Sequence, residues 1–181
     1  DLRRWQGSPA GLAWAGTGEP GLLVAPGAGY ALAFDGRLDN RDELRDRLGA
    51  LPDPDTDAAW VLACYRAWGP AAFDRLVGDF ALALWDGPRG RLACARDAIG
   101  LRPLFYQHDR RRVVCASAIR QLHGDPDTPR RLSESAVADY LTGTTPPPAD
   151  TFFAGVRRLP AGHTQVAGGP HEHHGDEYHH I

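Results

Sequence analysis

Cysteine is the strongest potential nucleophile in this 181-residue chain, which contains three: Cys64, Cys94 and Cys115. A cysteine attacks as its thiolate, so a catalytic cysteine needs a neighbouring base or positive charge that lowers its pKa. All three lie inside apolar, periodic segments, and none belongs to a CxxC pair. The sequence therefore favours buried, small hydrophobic side chains that neither catalyse nor form disulfides.

A second group with chemical potential is a cluster of charges, Arg96-Asp97 followed by Arg102, at the end of a predicted strand. Two interpretations stay open for it. Arg96 and Asp97 could form a structural ion pair that closes the strand, or the three side chains could contact a partner domain. Ser117 and Ser133 have no His/Asp partner at a readable spacing, and roles in a strand and a helix cap suffice for them.

Histidines crowd the end of the chain together with acidic side chains. They are His171, His173, His174, His179 and His180, with Glu172, Asp176 and Glu177. Their spacing matches no defined metal motif, and we predict no metal site. Residues 167–181 are predicted to be a polar, irregular tail or the start of a linker to a further domain.

Composition excludes several classes of protein. Hydrophobic residues make up 43% and charged residues 24%, which are ordinary globular values. A net charge of -3 does not provide the positive charge that binding to nucleic acid or an anionic membrane requires. No apolar run approaches the ~20 residues of a membrane span, and no signal peptide is recognisable. With an odd number of cysteines, these features predict a cytoplasmic protein.

The elements that would position these groups are organised around residues 76–106. A strand here is apolar on both faces, with Phe80, Leu82 and Leu84 on one face and Ala81, Ala83 and Trp85 on the other. Such a strand suits the middle of a layered domain. Residues 86–90 are predicted to turn the chain, residues 92–95 to rebuild the sheet, and Leu104-Phe105-Tyr106 to form a third short strand. Earlier in the chain, Asp35-Gly36 is predicted to be a turn.

Helices are predicted at 40–49, 55–68 and 133–141. In the first, Asn40 is expected to cap the helix while Glu43 reaches back to the N–H of the cap. In the third, Val137, Tyr140 and Leu141 are expected to face inward. The mixture of strands and helices is compatible with an α+β fold but selects no particular architecture.

Residues 78–106 also contain a long motif at fixed spacing: G-x-F-A-x-A-x-W-D, then L-x-x-A-R-D-x-x-G-x-R-P-L-F-Y. This pattern resembles the glutaminase-type (class II glutamine amidotransferase) domain that heads proteins of the asparagine synthetase B family. Segments at 35–44, 54–57, 115–119 and 153–163 resemble further runs of that family. The resemblance implies the four-layer αββα sandwich of N-terminal-nucleophile hydrolases for residues 1–166.

In that family a cysteine at the mature N-terminus attacks the side-chain amide of glutamine, and the released ammonia passes to an ATP-dependent synthetase domain. The resemblance places the glutamine pocket at Asp35, Gly36, Arg37 and Asp55. The first residue here is Asp1, and no cysteine lies near the start. Asp35 replaces the asparagine of the family, and its carboxylate would repel the developing oxyanion. Arg37 reverses the charge of the family's glutamate.

Two further positions bear on the pocket. Residues 22–29 contain no arginine for the carboxylate of the substrate, although the family carries one there. Asp55 matches the aspartate that holds the α-amino group of glutamine, but it could equally cap a helix. The resemblance therefore implies a degenerate pocket without a catalytic residue.

The run at 35–44 is similar to one branch of the family, the lasso peptide cyclases. These enzymes use ATP to adenylate a side-chain carboxylate and close it onto the N-terminal amine of the same peptide, so they need no ammonia. No S-G-G-x-D-S run for pyrophosphate occurs in the chain. ATP and Mg²⁺ are therefore expected in a C-terminal synthetase domain, in the same or a separate chain, and no cofactor is expected in this domain.

Three hypotheses follow. The leading one is a catalytically silent N-terminal domain that serves as scaffold for the adenylating domain of a peptide macrocyclase, with a precursor peptide as that domain's substrate. The second is an active glutamine-hydrolysing domain of an asparagine synthetase whose leading cysteine precedes Asp1. The third is a stand-alone interaction module.

Overall fold

A computed structural model describes residues 2–7, 9–15, 21–49, 52, 55–109, 112–168 and 177–180. The strands are β1 (Leu2–Gln6), β2 (Gly11–Ala15), β3 (Leu22–Ala25), β4 (Tyr30–Leu38), β5 (Gly78–Asp86), β6 (Arg91–Arg96), β7 (Phe105–His108), β8 (Val113–Ala116), β9 (Val156–Arg158), β10 (His163–Gly168) and β11 (Glu177–His180). The helices are α1 (Arg41–Leu48), α2 (Asp57–Trp68), α3 (Ile119–Leu122) and α4 (Glu134–Thr142), and 3₁₀ turns span Pro26–Ala28, Gly69–Arg75 and Gly87–Arg89.

The largest sheet has six strands in the order β11-β10-β6-β5-β4-β3, and every neighbouring pair in it is antiparallel. A second sheet has the order β8-β7-β9, and β1 and β2 pair as a separate hairpin. The predicted strand at 104–106 therefore exists as β7, but it belongs to the second sheet and does not extend the β5–β6 hairpin.

Strand β5 lies at the centre of the six-stranded sheet and is buried on both faces, as its sequence predicts. Phe80, Leu82 and Leu84 pack into a cluster with α1 and α2. Ala81 and Ala83 face the opposite side and join a second cluster that reaches the three-stranded sheet through Tyr106 and Leu159. This double burial stacks a helical layer and two sheets, and α3 contacts β7 and β8 of the second sheet. The predicted α+β sandwich is confirmed.

Helix α2 is positioned by a cap and by a buried carboxylate. The Thr56 hydroxyl accepts a hydrogen bond from the Ala59 N–H and begins the helix. One turn before the helix ends, the Tyr65 hydroxyl donates to Asp86 Oδ2 at 3.0 Å. Asp86 is fully buried, and its Oδ1 also accepts a hydrogen bond from the Arg89 N–H. This second bond closes the β5–β6 turn. Helix α2 is thus joined to the central hairpin through one carboxylate.

Arg91 completes this buried group. Its Nε donates to the Tyr65 hydroxyl at 3.2 Å and lies 3.4 Å from Asp86 Oδ2. Burial raises the pKa of Tyr65 above its ordinary value, and the negative charge of Asp86 adds to the effect. The phenol therefore stays protonated and remains a donor to the carboxylate.

Two details of the helices differ from the sequence predictions. Asn40 precedes α1, but it makes no side-chain cap bond to the helix. Its Nδ2 donates to Glu43 Oε2 and to the Arg75 carbonyl, and its Oδ1 accepts from the Val77 N–H. The predicted capping box is wrong because Asn40 instead joins α1 to the segment that leads into β5.

Helix α4 is the second correction. Ser133 caps it through the Ala136 N–H, as expected, but Tyr140 is 72% exposed and Leu141 77% exposed. The prediction that they face inward is wrong, because only Ala136 of this helix is buried. An apolar stripe on a helix indicates a contact surface, and the described residues cover only part of this one.

The predicted irregular tail from residue 167 is also different in the structure. Strand β10 continues to Gly168, and residues 177–180 pair with it as β11. The backbone of this end of the chain therefore extends the six-stranded sheet. His171, His173 and His174 lie outside the described residues.

Tyr65→Phe tests the link between α2 and Asp86. The variant keeps the ring, which stacks on Phe73 at 5.5 Å between centroids, and removes the donor to a buried carboxylate. We expect the free energy of unfolding in urea to fall by about 1.5–3 kcal/mol, because hydrogen bonds to buried charges are strong. Tyr140→Phe is the control and should change it by less than about 0.5 kcal/mol. Equal effects of the two substitutions would contradict the assignment.

Candidate functional site

The predicted pocket residues Asp35, Gly36 and Arg37 lie consecutively inside β4, opposite Ala81, Phe80 and Asp79 of β5. The prediction of a turn at Asp35-Gly36 is therefore wrong. An Asp-Gly pair favours a reversal because glycine tolerates positive φ, but here the glycine is used within a paired strand.

Gly36 has a φ of +150° and lies against β5. A Cβ at this position would overlap the Asp79 carbonyl oxygen and would lie 2.6 Å from the Phe80 Cα. Gly78 of β5, two residues before the Phe80 that faces Gly36, has a φ of +152°. A Cβ at Gly78 would likewise overlap the Arg37 carbonyl oxygen. A pair of glycines thus lets the two backbones approach at the end of the sheet where the candidate site lies.

The charged side chains around this approach are paired with one another. Arg37 Nη2 lies 3.3 Å from Asp39 Oδ2 and 3.1 Å from Asp79 Oδ2. Arg102 Nη1 lies 3.8 Å from Asp35 Oδ1. Three carboxylates and two guanidinium groups therefore line the site, and the Arg37 side chain is 63% exposed. The arrangement is an exposed ion-pair network without a neutral amide donor.

Asp79 is a site residue that sequence reasoning missed. Its carboxylate lies opposite Arg37 on the neighbouring strand. Only the register of β4 and β5 shows that the two residues face each other. A cross-strand pair of opposite charges stabilises a sheet. Local sequence spacing does not reveal such a pair, because 42 positions along the chain separate its two members.

Asp55, the fourth predicted pocket residue, lies just before α2. Its Oδ1 accepts a hydrogen bond from Trp60 Nε1 at 2.6 Å and lies 3.6 Å from Arg41 Nη1. Arg41 also donates through Nε to Asp57 at 2.6 Å. These contacts fasten the start of α2 to α1, whereas the cap itself is Thr56. The described contacts do not join Asp55 to the residues of β4.

Arg96 and Asp97, for which two interpretations were open, are both buried. Arg96 donates to the carbonyls of Arg102 at 2.6 Å, Leu159 at 2.8 Å, and Gly100. Burial lowers the pKa of the Arg96 guanidinium, and the charge of Asp97 opposes that change. Five N–H donors make arginine suited to collecting several carbonyls at once. Arg96 therefore fixes the backbone of the loop after β6 through its carbonyl groups.

Asp97 holds the same loop through backbone amides. Its Oδ1 accepts from the N–H groups of Ile99, Gly100 and Leu101, and its Oδ2 accepts from the Phe80 N–H. The two charges thus bond to backbone groups, and the described bonds do not include a direct Arg96–Asp97 ion pair. A contact of Arg96, Asp97 or Arg102 with a partner domain remains a prediction. The exposed side chains of Ile99 and Leu101 project from this loop.

The cysteines lie away from β4. Cys64 is buried on the helical side of the six-stranded sheet, and Cys94 is buried on the side that faces the second sheet. Cys115 is half-buried and its sulfur lies 3.8 Å from that of Cys94. The burial predicted for the three cysteines is found for Cys64 and Cys94, while the proximity of Cys94 and Cys115 was not foreseen.

Within the described residues, no three or more His, Cys, Asp and Glu side chains cluster closely enough to hold a metal ion. Of the histidine-rich end of the chain, the structure describes only the backbone of β11. None of the helices in the described ranges is long and apolar enough to cross a membrane.

A family of proteins described as "Glutamine amidotransferase domain" matches residues 18–177. The chain therefore belongs to this family. It is 37% identical over 143 residues to a protein of Mycobacterium tuberculosis (strain H37Rv) provisionally named glutamine-hydrolyzing asparagine synthetase. It is 28% identical over 149 residues to glutamine-hydrolyzing asparagine synthetase 3 of Bacillus subtilis (strain 168). These matches cover 74% and 80% of this chain.

The solved structures support the same fold. Glutamine phosphoribosylpyrophosphate amidotransferase from B. subtilis matches with a TM-score of 0.55 and 19% identity, over 94% of this chain and 34% of that one. The two asparagine synthetases are much longer than this chain, which covers only 22% and 24% of their lengths. The predicted resemblance to the asparagine synthetase family is confirmed at the level of the glutamine amidotransferase domain.

Gly36→Ala tests the close approach of β4 and β5. The substitution adds a Cβ that collides with the backbone of β5 at a φ that L-residues rarely adopt. We expect the free energy of unfolding to fall by more than about 3 kcal/mol. Gly27→Ala is the control, because no atom lies within 4 Å of its added Cβ, and it should change stability by less than about 0.5 kcal/mol. Chemical denaturation of the two variants compares them. A well-folded Gly36→Ala protein would refute the constraint.

Proposed function

We propose that this chain is a glutamine amidotransferase-type domain that does not hydrolyse glutamine and serves as a scaffold for an ATP-dependent, amide-forming synthetase part. The observation that supports it most is the ion-pair network on β4 and β5. Acyl transfer from an amide develops negative charge on the carbonyl oxygen, and a site for it needs donors directed at that oxygen. Asp35 places a carboxylate where the family resemblance calls for an amide donor.

The two arginines of the network do not replace that donor. Arg37 is directed to the carboxylates of Asp39 and Asp79, at 3.3 Å and 3.1 Å. Arg102 lies 3.8 Å from Asp35, and both side chains are about half exposed. Exposed ion pairs of this kind contribute little and are screened by salt. With three carboxylates and two guanidinium groups, the network carries a net negative charge and offers poor stabilisation to an oxyanion.

Asp55 supports the same conclusion. Its carboxylate accepts the indole N–H of Trp60 and lies beside Arg41. These contacts give it a structural task at the start of α2. A carboxylate whose charge already faces a guanidinium has less attraction for the ammonium group of a glutamine substrate.

A synthetase that forms an amide without ammonia needs no glutaminase. We propose that the synthetase part adenylates a side-chain carboxylate of a precursor peptide with ATP and Mg²⁺ and releases pyrophosphate. The N-terminal amine of the same peptide then displaces AMP and closes a macrolactam, as in the lasso peptide cyclases that the run at 35–44 resembles. The nucleophile is part of the substrate, so the glutamine pocket has no task to perform.

The scaffold role needs a contact surface, and we propose the exposed apolar side chains at and beside α4. Leu132, Tyr140, Leu141 and Phe152 form it, and each is between 48% and 77% exposed; we name it the α4 patch. The rings of Tyr140 and Phe152 meet edge to face, with centroids 5.7 Å apart. The Ser133 N–H donates to the Phe152 carbonyl at 2.9 Å, which holds the two segments of the patch together.

We assign the synthetase part as the occupant of the α4 patch. In the matching relatives this domain makes up only 22% to 24% of the protein, so a larger part accompanies it. A clustered apolar surface with aromatic side chains is typical of a protein contact. Aromatic residues at the centre of such a contact tend to supply most of its free energy.

Glutamine hydrolysis is the first test. The full-length protein that carries this chain should release no ammonia from millimolar L-glutamine above the rate in buffer, as measured with a coupled dehydrogenase assay. Asp35→Asn combined with Arg37→Glu puts back the amide donor and the charge that the family resemblance calls for, and ammonia release that appears only in this double variant would show that these two residues silence the domain. Glutamine-dependent ammonia release, with a covalent adduct of a glutamine-like chloroketone on an upstream cysteine, would instead establish the second hypothesis, an active glutaminase domain.

Tyr140→Glu in the full-length protein tests the α4 patch. Pyrophosphate exchange into ATP, assayed with candidate precursor peptides, should fall by about tenfold or more, and proteolysis between the two parts should become faster. Leu2→Glu is the control: Leu2 is 59% exposed, on the β1–β2 hairpin, and its substitution should change neither rate. Unchanged exchange in Tyr140→Glu would remove the α4 patch from the scaffold contact.

A further inference from the structure

The two sheets of the sandwich each contribute a cysteine to the space between them. Cys94 lies in β6 of the six-stranded sheet and Cys115 lies in β8 of the three-stranded sheet. Their sulfur atoms are 3.8 Å apart, and both are free thiols. Cys94 belongs to the buried apolar cluster that also contains Leu104, Tyr106 and Leu159, and the partly buried Cys115 packs against this cluster.

We propose that Cys94 and Cys115 are a site of reversible oxidation, and that hydrogen peroxide converts them to a disulfide that joins the two sheets. The proposal is independent of the proposed function, because it concerns the core of the domain and not its pocket. It differs from the burial role that the sequence predicts, since the two side chains act as a pair only after the chain has folded.

The geometry allows the bond to form. A disulfide has a sulfur–sulfur distance of about 2.05 Å, so the sulfurs must approach by less than about 2 Å. Side-chain rotation supplies part of this movement. Among the strands of the described residues, β8 is at the edge of its sheet and pairs only with β7. It can therefore shift toward β6 without breaking a second set of the strand hydrogen bonds described.

The chemistry assigns different roles to the two sulfurs. The hydrogen bond from the Cys94 thiol lowers the pKa of Cys115, whereas that same bond and burial raise the pKa of Cys94. Cys115 is also the more exposed of the two. It is therefore the sulfur that reaches peroxide first, as a thiolate.

The reaction balances in two steps. The Cys115 thiolate attacks one oxygen of hydrogen peroxide, an S–O bond forms, the O–O bond breaks, and the departing hydroxide becomes water by taking a proton. Cys94 then attacks the sulfenic sulfur of Cys115, an S–S bond forms, and the S–O bond breaks. The second hydroxide takes the proton of Cys94 and leaves as water. Two thiols are oxidised by two electrons, and peroxide is reduced to two molecules of water.

Cys64 is an internal control within the same chain. It lies on α2, in the cluster on the other side of the six-stranded sheet. Burial raises its pKa to about 11, so it stays a thiol at neutral pH. Peroxide should therefore leave Cys64 reduced under conditions that oxidise the pair.

The experiment treats the full-length, native protein with hydrogen peroxide at neutral pH, alkylates the remaining thiols, and maps peptides by mass spectrometry. We expect a peptide pair joined through Cys94 and Cys115 that is lighter by two hydrogen atoms than its reduced form, while Cys64 stays alkylated. Dithiothreitol should restore both thiols. Amide hydrogen exchange in β8 should become about tenfold slower after oxidation, because the bond opposes local opening of the edge strand.

Variants separate the roles of the sulfurs. Cys64→Ala should behave as the wild type. Cys94→Ala should accumulate a sulfenic acid on Cys115 that dimedone traps, whereas Cys115→Ala should give neither a disulfide nor a dimedone adduct. The proposal would be overturned if native wild-type protein kept both thiols alkylatable, or if the bond formed only after unfolding in guanidinium, or if it joined Cys64. These outcomes are read from the wild type, so they do not depend on whether a variant folds.

Discussion

Burial of β5 on both faces is the constraint on which the rest of this structure depends. A strand without a polar face must be covered twice, and the chain does so with α1 and α2 on one side and the three-stranded sheet on the other. The small residues Ala81 and Ala83 face the second sheet, while Phe80, Leu82 and Leu84 face the helices. The layers of the fold follow from this asymmetry, because large side chains fill the gap below helices and small ones let the sheets approach.

Three buried charged residues serve the same arrangement. Asp86 joins α2 to the turn between β5 and β6, and Arg96 with Asp97 shapes the loop that carries the chain from the first sheet to the second. Asp86, Arg96 and Asp97 all have hydrogen-bonding partners, which is the condition under which buried charges are tolerated inside a protein. Of these, Arg96 and Asp97 support the fold through backbone groups of β5 and of the loop after β6.

Sequence reasoning succeeded where the determinants are local. The two-faced apolar strand, the hairpin at 86–90, the start of α2 and its end at Gly69 are set by neighbours along the chain. It failed where contacts with distant segments determine the burial or the hydrogen bonds of a residue. Whether Tyr140 is buried depends on which segment covers α4, and the neighbours of Asn40 lie 35 and 37 residues away. The fold class came from a long motif, and periodicity alone would not have selected it.

The candidate site shows the same division. Asp35, Gly36 and Arg37 were found through the family pattern, but their place inside β4, and the pairing of Arg37 with Asp79, depend on strand register. The meeting of Cys94 and Cys115 depends on how two sheets stack, which no spacing in the sequence expresses. Chemistry that arises from packing is visible only after the fold is known.

The glycine in the middle of the site has a consequence for how such domains are recognised. Gly36 is required by the backbone of β5, whatever chemistry occurs beside it. A glycine at this position therefore indicates the close strand pair and says nothing about the chemistry beside it. The side chains on either side, at 35 and 37, point away from that steric requirement and are free to change. Gly36 thus reflects a backbone constraint, whereas residues 35 and 37 set the charge of the ion-pair network beside it.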